Sequence, residues 1–311
     1  MRIMRGRMAF HIEMRPSRAR NALYLGHDLR IDALLRSVLK SESWNFQHAS
    51  SNASALIAEH YDLIVTSEQT PGKESVAFLR KVRLSSSDTR VIILSSKSTT
   101  TEVIAAMQEH AFSYFSQPVS PDALQRMIRL ATEKPCWDDG IEVVSVDQQG
   151  IRFCVRCDFE TTDRLLQFLR EILDVPDPER AQLATASHEL LYNAIEYGGK
   201  LDPANHVEIE CLRFQDRVTC RITDHGPGFR FNQIPHAAIA NPADDPTRHI
   251  EVRQEQGLRP GGYGILVARQ LVDELVYGKE GREVLIVKYL RSANSHPPNS
   301  QALFDWAPTN D

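Results

Sequence analysis

Residues 21 to 132 alternate short β-rich segments with amphipathic helical patterns, and this alternation restricts the fold more than any other feature of the chain. Parallel strands need a long crossover between neighbours, usually a helix, so the alternation indicates a parallel sheet. Five such units predict an α/β domain with a flavodoxin-like (βα)5 fold. Its strands are predicted at 22–25, 45–48, 63–66, 91–94 and 113–115.

The pattern changes after residue 133, where a proline and a turn-like Asp-Asp-Gly interrupt the alternation. We therefore predict a linker at 133–150. Beyond it, strands and helices cluster rather than alternate, which favours an α+β sandwich at 151–291. The arginine-rich segment at 1–20 is predicted to be a basic disordered arm, and the polar, proline-containing segment at 292–311 a flexible tail.

Composition and charge exclude several classes of function. With a formal net charge of -5 and a pI near 6.1, the chain has no basic excess for binding nucleic acid through its phosphates. Its apolar runs are only a few residues long, far below the roughly 20 residues that span a membrane. The five cysteines are widely spread and lack the spacing of a disulfide framework or zinc site. We expect a cytoplasmic protein that binds neither nucleic acid nor a membrane.

A long helix is predicted at 178–197, because Asp177 precedes a proline at its start and two glycines follow its end. Glu189 and Asn193 are four residues apart, so they are neighbours on a stripe beside the buried one and can face a cavity together. An amide oxygen can bind Mg²⁺, and a carboxylate can orient or deprotonate a hydroxyl group. The buried stripe is predicted to contain Leu183, Ser187, Leu190, Ala194 and Tyr197.

Two glycine-rich loops follow this helix in the sequence. In the first, Asp224, Gly226 and Gly228 come directly after an alternating strand. An acidic residue there can accept a proton from the amino group of a base, and glycines let the backbone approach a ligand closely. In the second loop, Gly262 and Gly264 open a helix, whose first N–H groups and positive dipole end can bind phosphate.

Taken in this order, the helix and the two loops resemble the N-box and the two glycine boxes of the GHKL ATPase superfamily, over residues 151 to 290. The resemblance implies a GHKL-type α/β sandwich that binds ATP and Mg²⁺. Asn193 would bind Mg²⁺ and Asp224 the adenine, while Gly226, Gly228, Gly262 and Gly264 would form the loops around the nucleotide. The span between the glycine boxes would be the ATP lid. Any of its arginines could meet the γ-phosphate: Arg230, Arg248, Arg253 and Arg259.

Within the superfamily, the compact second domain most resembles the anti-sigma-factor serine kinases. In those proteins, the glutamate four residues before the N-box asparagine is the proposed catalytic base, and Glu189 fills that position. The implied partners are a STAS-domain anti-anti-sigma protein and a sigma factor. One alternative is a non-catalytic protein whose contacts depend on nucleotide. Another is a histidine-kinase-like enzyme phosphorylated on His188, although this residue overlaps the N-box instead of lying on a separate upstream hairpin.

The first domain resembles a response-regulator receiver whose phosphorylation site is degenerate. Ser67 stands where a receiver has its phosphorylated aspartate, Gly26 and His27 replace the acidic Mg²⁺ pair, and Gln117 replaces the usual lysine. Of the positions in this site, only Ser95 closely matches the residue usual in receivers, which carries the switch hydroxyl. Without carboxylates we expect neither a Mg²⁺ site nor an acyl-phosphate acceptor. We expect a pseudo-receiver that docks, forms a homodimer or regulates the chain through protein contacts, with a merely structural role as the alternative.

Overall fold

The computed structural model describes residues 20–40, 44–49, 60–68, 73–86, 88–96, 98–133, 137–147, 150–173, 175–230, 233–258 and 260–290. The described residues form two compact units. One comprises those within 1–98 and 115–137, and the other those within 99–114 and 138–311. The segment 99–114, assigned from the sequence to the first domain, is thus grouped with the second unit. Apart from Arg20, the predicted N-terminal arm lies outside the described residues, as does the predicted tail.

The first sheet has five strands in the order β2-β1-β3-β4-β5, and the registers among β1 to β4 are parallel. β4 is buried along its whole length, as expected for a parallel sheet covered on both faces. The predicted flavodoxin-like fold is confirmed. Its strands are β1 (Arg20–Gly26), β2 (Trp44–Ala49), β3 (Leu63–Glu68), β4 (Arg90–Ser95) and β5 (Ser113–Ser116). The helices between and after them are α1 (Leu29–Leu39), α2 (Lys73–Ser85), α3 (Thr100–Gln108) and α4 (Pro121–Glu133).

The second sheet has six antiparallel strands in the order β10-β11-β9-β8-β7-β6. Along β9, buried and less buried residues alternate, so one face of the sheet carries the core. The predicted α/β sandwich is confirmed. Its strands are β6 (Ile141–Val146), β7 (Gly150–Arg156), β8 (His206–Arg213), β9 (Arg217–Thr223), β10 (Glu274–Gly278) and β11 (Glu283–Tyr289). Its helices are α5 (Phe159–Ile172), α6 (Glu179–Asn193), α7 (Arg248–Glu255) and α8 (Gly264–Leu271).

The stretch 133–150, predicted as a linker, contains the edge strand β6. Only Ile141 among its six residues is buried, and the pairing with β7 shifts between Val143 and Ser145. A short edge strand with a bulge has little apolar alternation, because most of its side chains face solvent. Its sequence signal is therefore weak, and the predicted linker includes a strand of the second sheet.

The helix predicted at 178–197 is not α-helical throughout. α6 ends at Asn193 and continues as a π-helical turn over Ala194–Gly198, in which the Gly199 N–H donates to the Ala194 carbonyl, 2.8 Å away. This wider turn rotates later residues away from the buried stripe. Tyr197, predicted to be buried, is accordingly 53% exposed.

The start of α6 also differs from the prediction. Pro178, and not Asp177, occupies the N-cap position, and no side chain caps the first turn. The carboxylate of Asp177 instead pairs with Arg180, at 3.0 Å. None of the helices in the described residues is long and apolar enough to span a bilayer.

Candidate functional site

A cavity of about 740 Å³ opens in the second unit, between α6 with its π-helical turn, the loop after β9, and the start of α8. Six of the seven site residues predicted from the sequence line it: Glu189, Asn193, Asp224, Gly228, Gly262 and Gly264. The seventh, Gly226, lies just behind this wall, where an added Cβ would come 2.6 Å from the Gly198 Cα. A cavity of this size can hold a nucleotide.

Glu189 and Asn193 converge on the first residue of α8. A Cβ added to Gly264 would lie 2.7 Å from Glu189 Oε2 and 3.5 Å from Asn193 Nδ2. The carboxylate and the amide therefore share one corner of the cavity with the start of α8. The π-helical turn begins immediately after Asn193, and such turns are often found at functional sites.

The start of α8 is suited to bind an anion. Its N-cap residue is Tyr263, which makes no side-chain capping bond, so the first N–H groups of the helix are not satisfied by a cap. Gly264 and Ile265 both line the cavity. Uncapped N–H groups and the positive end of the helix dipole together favour a phosphate group at this point.

Asp224 directly follows β9 and is fixed by the first glycine loop. Its Oδ1 accepts a hydrogen bond from the Gly226 N–H at 2.8 Å, and a Cβ added to Gly198 would lie 2.3 Å from its Cγ. Burial raises the pKa of Asp224, and the bond from Gly226 opposes this shift only in part. The carboxylate oxygens are acceptors, so this residue can bind an exocyclic amino group such as that of adenine.

Two of the glycines have positive φ angles and no room for a side chain. Gly228 has φ +70°, and its Cβ would lie 2.3 Å from the Glu280 carbonyl oxygen. Gly262 has φ +92°, and its Cβ would lie 2.6 Å from the His236 carbonyl oxygen. Since the clashing atoms belong to the backbone, both loops require glycine.

Of the four arginines predicted as candidates for the γ-phosphate, Arg253 lies at the cavity. It is buried in the lid, lines the cavity, and donates through Nη1 to the His236 carbonyl oxygen at 3.2 Å. The same Nη1 lies 3.3 Å from the Cβ position of Gly262, so the guanidinium rests against the second glycine loop. Arg248 is exposed and Arg230 does not line the cavity, while Arg259 lies outside the described residues.

The lid contains two imidazoles close to Arg253. Burial lowers the pKa values of His236 and His249, and the positive charge of Arg253 lowers both further. Because the two histidines are neutral, Arg253 is the positively charged residue that the described part of the lid contributes to the cavity wall. Sequence patterns did not predict α7, the lid helix that carries Arg253, because it has few apolar residues and little periodicity.

Sequence analysis also missed Tyr277 and Arg282, which line the cavity opposite the helices. Tyr277 lies on β10 and makes an edge contact with Phe229 at 5.2 Å between ring centroids. Burial raises the pKa of Tyr277, so it stays neutral. The sequence pattern that could have predicted β10 is the run Glu274–Gly278, which contains two side chains that favour strands. The run was too short to be assigned as a strand.

His188, the alternative phosphorylation site, lies at the edge of the same cavity. Its Nδ1 is 3.4 Å from Glu189 Oε1, and its ring stacks on Tyr192 at 4.2 Å between centroids. The side chain is 45% exposed. His188 is therefore both accessible to solvent and in contact with Glu189.

In the first unit, a tyrosine occupies the region of the degenerate receiver site. Tyr24 is fully buried, and its hydroxyl accepts a bond from the Asp28 N–H at 3.1 Å and donates to the Asp28 carbonyl at 3.3 Å. A Cβ added to Gly26 would meet this hydroxyl at 2.6 Å and the Ser67 Cβ at 2.8 Å. Burial raises the pKa of Tyr24, although a bond with Ser67 opposes the shift. A neutral phenol therefore fills the space between Gly26 and Ser67.

Two of the other receiver positions, Gln117 and Ser95, are joined by a backbone hydrogen bond. The Gln117 N–H donates to the Ser95 carbonyl at 2.8 Å, which joins β5 to the end of β4.

Across the described parts of the chain, no group of three or more His, Cys, Asp or Glu side chains is close enough to hold a metal ion. The amide oxygen of Asn193 is a hard donor that fits one position on a Mg²⁺ ion, and this ion commonly takes water and phosphate oxygens as further ligands.

Comparisons with known proteins give two matches to protein families. Residues 155–288 match the family described as Histidine kinase-like ATPase domain, and residues 28–129 match the Response regulator receiver domain. No curated protein is similar enough to this chain to count as a match.

Several solved structures are similar to part of this chain. An orphan response regulator of H. pylori is 18% identical, with a TM-score of 0.31, over 36% of this chain and 95% of its own. A response regulator from Thermotoga maritima is 20% identical, with a TM-score of 0.32, over 37% of this chain and 99% of its own. A CheY-like receiver domain protein from Methanospirillum hungatei is 20% identical, with a TM-score of 0.32, over 36% and 92%. The two family matches show that the chain combines an N-terminal response regulator receiver domain with a C-terminal histidine kinase-like ATPase domain.

Proposed function

We propose that this protein is an ATP-dependent protein-serine kinase that phosphorylates a STAS-domain anti-anti-sigma protein and also binds a sigma factor. The observation that carries the proposal is the convergence of Glu189 and Asn193 on Gly264, at the uncapped start of α8. A base, a Mg²⁺ ligand and a phosphate-binding helix end then occupy one corner of the cavity. Phosphoryl transfer needs mainly positioning and charge neutralisation, so this set is sufficient.

Each part of the cavity has a role in this reaction. Asp224 accepts a hydrogen bond from the adenine amino group, and the N–H groups at the start of α8 bind phosphate oxygens. Asn193 would hold Mg²⁺, which would neutralise charge on the phosphates, and Arg253 adds a positive charge from the lid.

Glu189 accepts the proton of the acceptor hydroxyl. The serine oxygen forms the new bond to the γ-phosphorus, the bond from that phosphorus to the bridging oxygen breaks, and ADP leaves with the electron pair. The half-exposed position of the Glu189 side chain supports this role, because a protein substrate must reach it from solvent.

The receiver domain regulates this activity through protein contacts, including those of a homodimer, and not through phosphorylation of its own aspartate. The buried phenol of Tyr24 beside Ser67 supports this part of the proposal, since it occupies space that a metal ion and a phosphoryl group would need.

The test is transfer of label from Mg-[γ-³²P]ATP to a STAS-domain protein of the same organism. We expect acid-stable label on serine, loss of transfer in Glu189→Gln with nucleotide binding retained, and loss of Mg²⁺-dependent affinity in Asn193→Ala. Glu208→Gln, on an exposed position of β8, is the matched control. Acid-labile label on the chain itself would support the histidine-kinase alternative, and tight binding without transfer would support the non-catalytic one.

A further inference from the structure

A stack of aromatic rings adjoins the proposed base. The rings of His188 and Tyr192 stack at 4.2 Å between centroids with 26° between their planes, and Phe159 stacks on Tyr192 at 5.0 Å and 16°. His188 and Tyr192 lie one turn apart on α6, whereas Phe159 is the first residue of α5. The stack therefore joins the helix that carries Glu189 and Asn193 to the neighbouring helix.

Tyr192 is held at both ends of its side chain. Besides the stacking of its ring, its hydroxyl donates to Asp163 Oδ1 at 2.6 Å. Hydrogen bonds to a carboxylate are shorter and stronger than those between neutral groups. This bond fixes the middle ring of the stack to α5.

The anchor itself is rigid, because the first turn of α5 is well capped. Asp158 accepts the Thr161 N–H at 2.8 Å and the Arg156 Nε–H at 2.6 Å. Burial opposes ionisation of Asp158, yet the bonds from Thr161 and Arg156 outweigh it and lower its pKa. Phe159 and Asp163, which hold Tyr192, both lie within the first five residues of this helix.

The two oxygens of Glu189 face different partners. Oε1 lies 3.4 Å from His188 Nδ1, whereas Oε2 lies 2.7 Å from the Cβ position of Gly264, on the side of the second glycine loop. A half-exposed glutamate samples several side-chain rotamers unless a neighbour restricts it. In the structure, Oε1 contacts His188 in the same orientation in which Oε2 faces the start of α8.

We propose that His188 and Tyr192 are positioning residues, which hold the Glu189 carboxylate in the orientation needed to take a proton from the attacking hydroxyl or water. This inference rests on the proposed role of Glu189 as the base. It assigns to His188 a role in every turnover without phosphorylation of the imidazole. Tyr192 acts one step further away, by fixing the imidazole that contacts Glu189.

The test uses hydrolysis of Mg-ATP by the full chain, since the base can activate water in place of serine. The variants are Tyr192→Phe, which removes the bond to Asp163 but keeps the ring, with His188→Ala and His188→Gln. Matched controls are Tyr289→Phe, whose hydroxyl also donates to a carboxylate at 2.6 Å, and His206→Ala, on an exposed position of β8. Phosphate release gives kcat and KM, and calorimetry gives the Kd for Mg-ATP.

We expect kcat to fall about 3-fold in Tyr192→Phe and about 10-fold in His188→Ala, which is part of the roughly 100-fold or larger contribution of a general base. KM and Kd should stay within about 2-fold of wild type, and His188→Gln should recover part of the rate because its amide is a polar group that can contact the same carboxylate. Unchanged kcat in both Tyr192→Phe and His188→Ala would overturn the inference, as would a parallel loss of affinity. A wild type no faster than Glu189→Gln would also overturn it. Hydrolysis that depends on His188 without serine transfer would refute only the proposed kinase activity.

Discussion

The substitution Gly264→Ala separates the chemistry of the site from its stability. An added methyl group would lie 2.7 Å from Glu189 Oε2 and 3.5 Å from Asn193 Nδ2. The second distance is an ordinary contact. Carbon and oxygen atoms in close contact are normally about 3.3 Å apart or more. The Glu189 carboxylate must therefore move about 0.6 Å away from the added methyl group.

The energetic cost of this movement is small, because the displaced Oε2 atom lies at the end of the flexible Glu189 side chain. Moving a side chain part of the way off its rotamer costs about 0.5–1.5 kcal/mol, and replacing glycine by alanine in a helix recovers about 0.5–1 kcal/mol. The net change in the free energy of unfolding should therefore stay within about 1 kcal/mol. A misplacement approaching 1 Å at a reacting group can lower the rate about 100-fold, so we expect kcat to fall about 10- to 100-fold.

Urea unfolding and phosphate release from Mg-ATP measure the two effects on the same sample. Gly262→Ala is the comparison variant, because its Cβ would meet the His236 backbone oxygen at 2.6 Å with φ at +92°. That variant should lose stability by about 1–3 kcal/mol, since backbone strain cannot be relieved by rotating a side chain. A wild-type rate in Gly264→Ala would refute the placement of Glu189 in the reaction, and a matching loss of stability would attribute any rate effect to unfolding.

Three further predictions follow from the lid, the cap of α5 and the receiver domain. Measured by calorimetry, Arg253→Gln should weaken the binding of ATP more than that of ADP, whereas the substitution of the exposed Arg248 by Gln should change neither affinity. Equal effects of the two variants would show that Arg253 does not contact the γ-phosphate. Asp158 has a lowered pKa in the folded protein, so its contribution is present above about pH 4 and is lost as the pH falls through that lowered value. Asp158→Asn should thus cost about 1 kcal/mol at pH 7 and progressively less below pH 4 in urea unfolding, and a loss independent of pH would contradict this. Acetyl phosphate should leave the intact mass unchanged, because Tyr24 fills the site beside Ser67; an added phosphate on the receiver domain would show that the site is active.

Local sequence patterns predicted most of the secondary structure. All five strands predicted in the first domain lie within observed strands, and the second glycine loop opens a helix as predicted. These features depend on alternation, helical spacing and glycine, which act over a few residues. β6, β10 and the lid helix α7 were not predicted, because each is short and stabilised mainly by its neighbours in space.

For the candidate site, the sequence by itself determined which residues could bind a nucleotide, since Asn193, Asp224 and the glycines are recognisable by type and spacing. Only the tertiary structure decided how they are arranged. It brought Glu189 to Gly264, brought Arg253 to the cavity wall and filled the receiver site with Tyr24. The physical reason is that these contacts join residues far apart in the chain, and their distances depend on how helices and sheets pack, which no local pattern encodes.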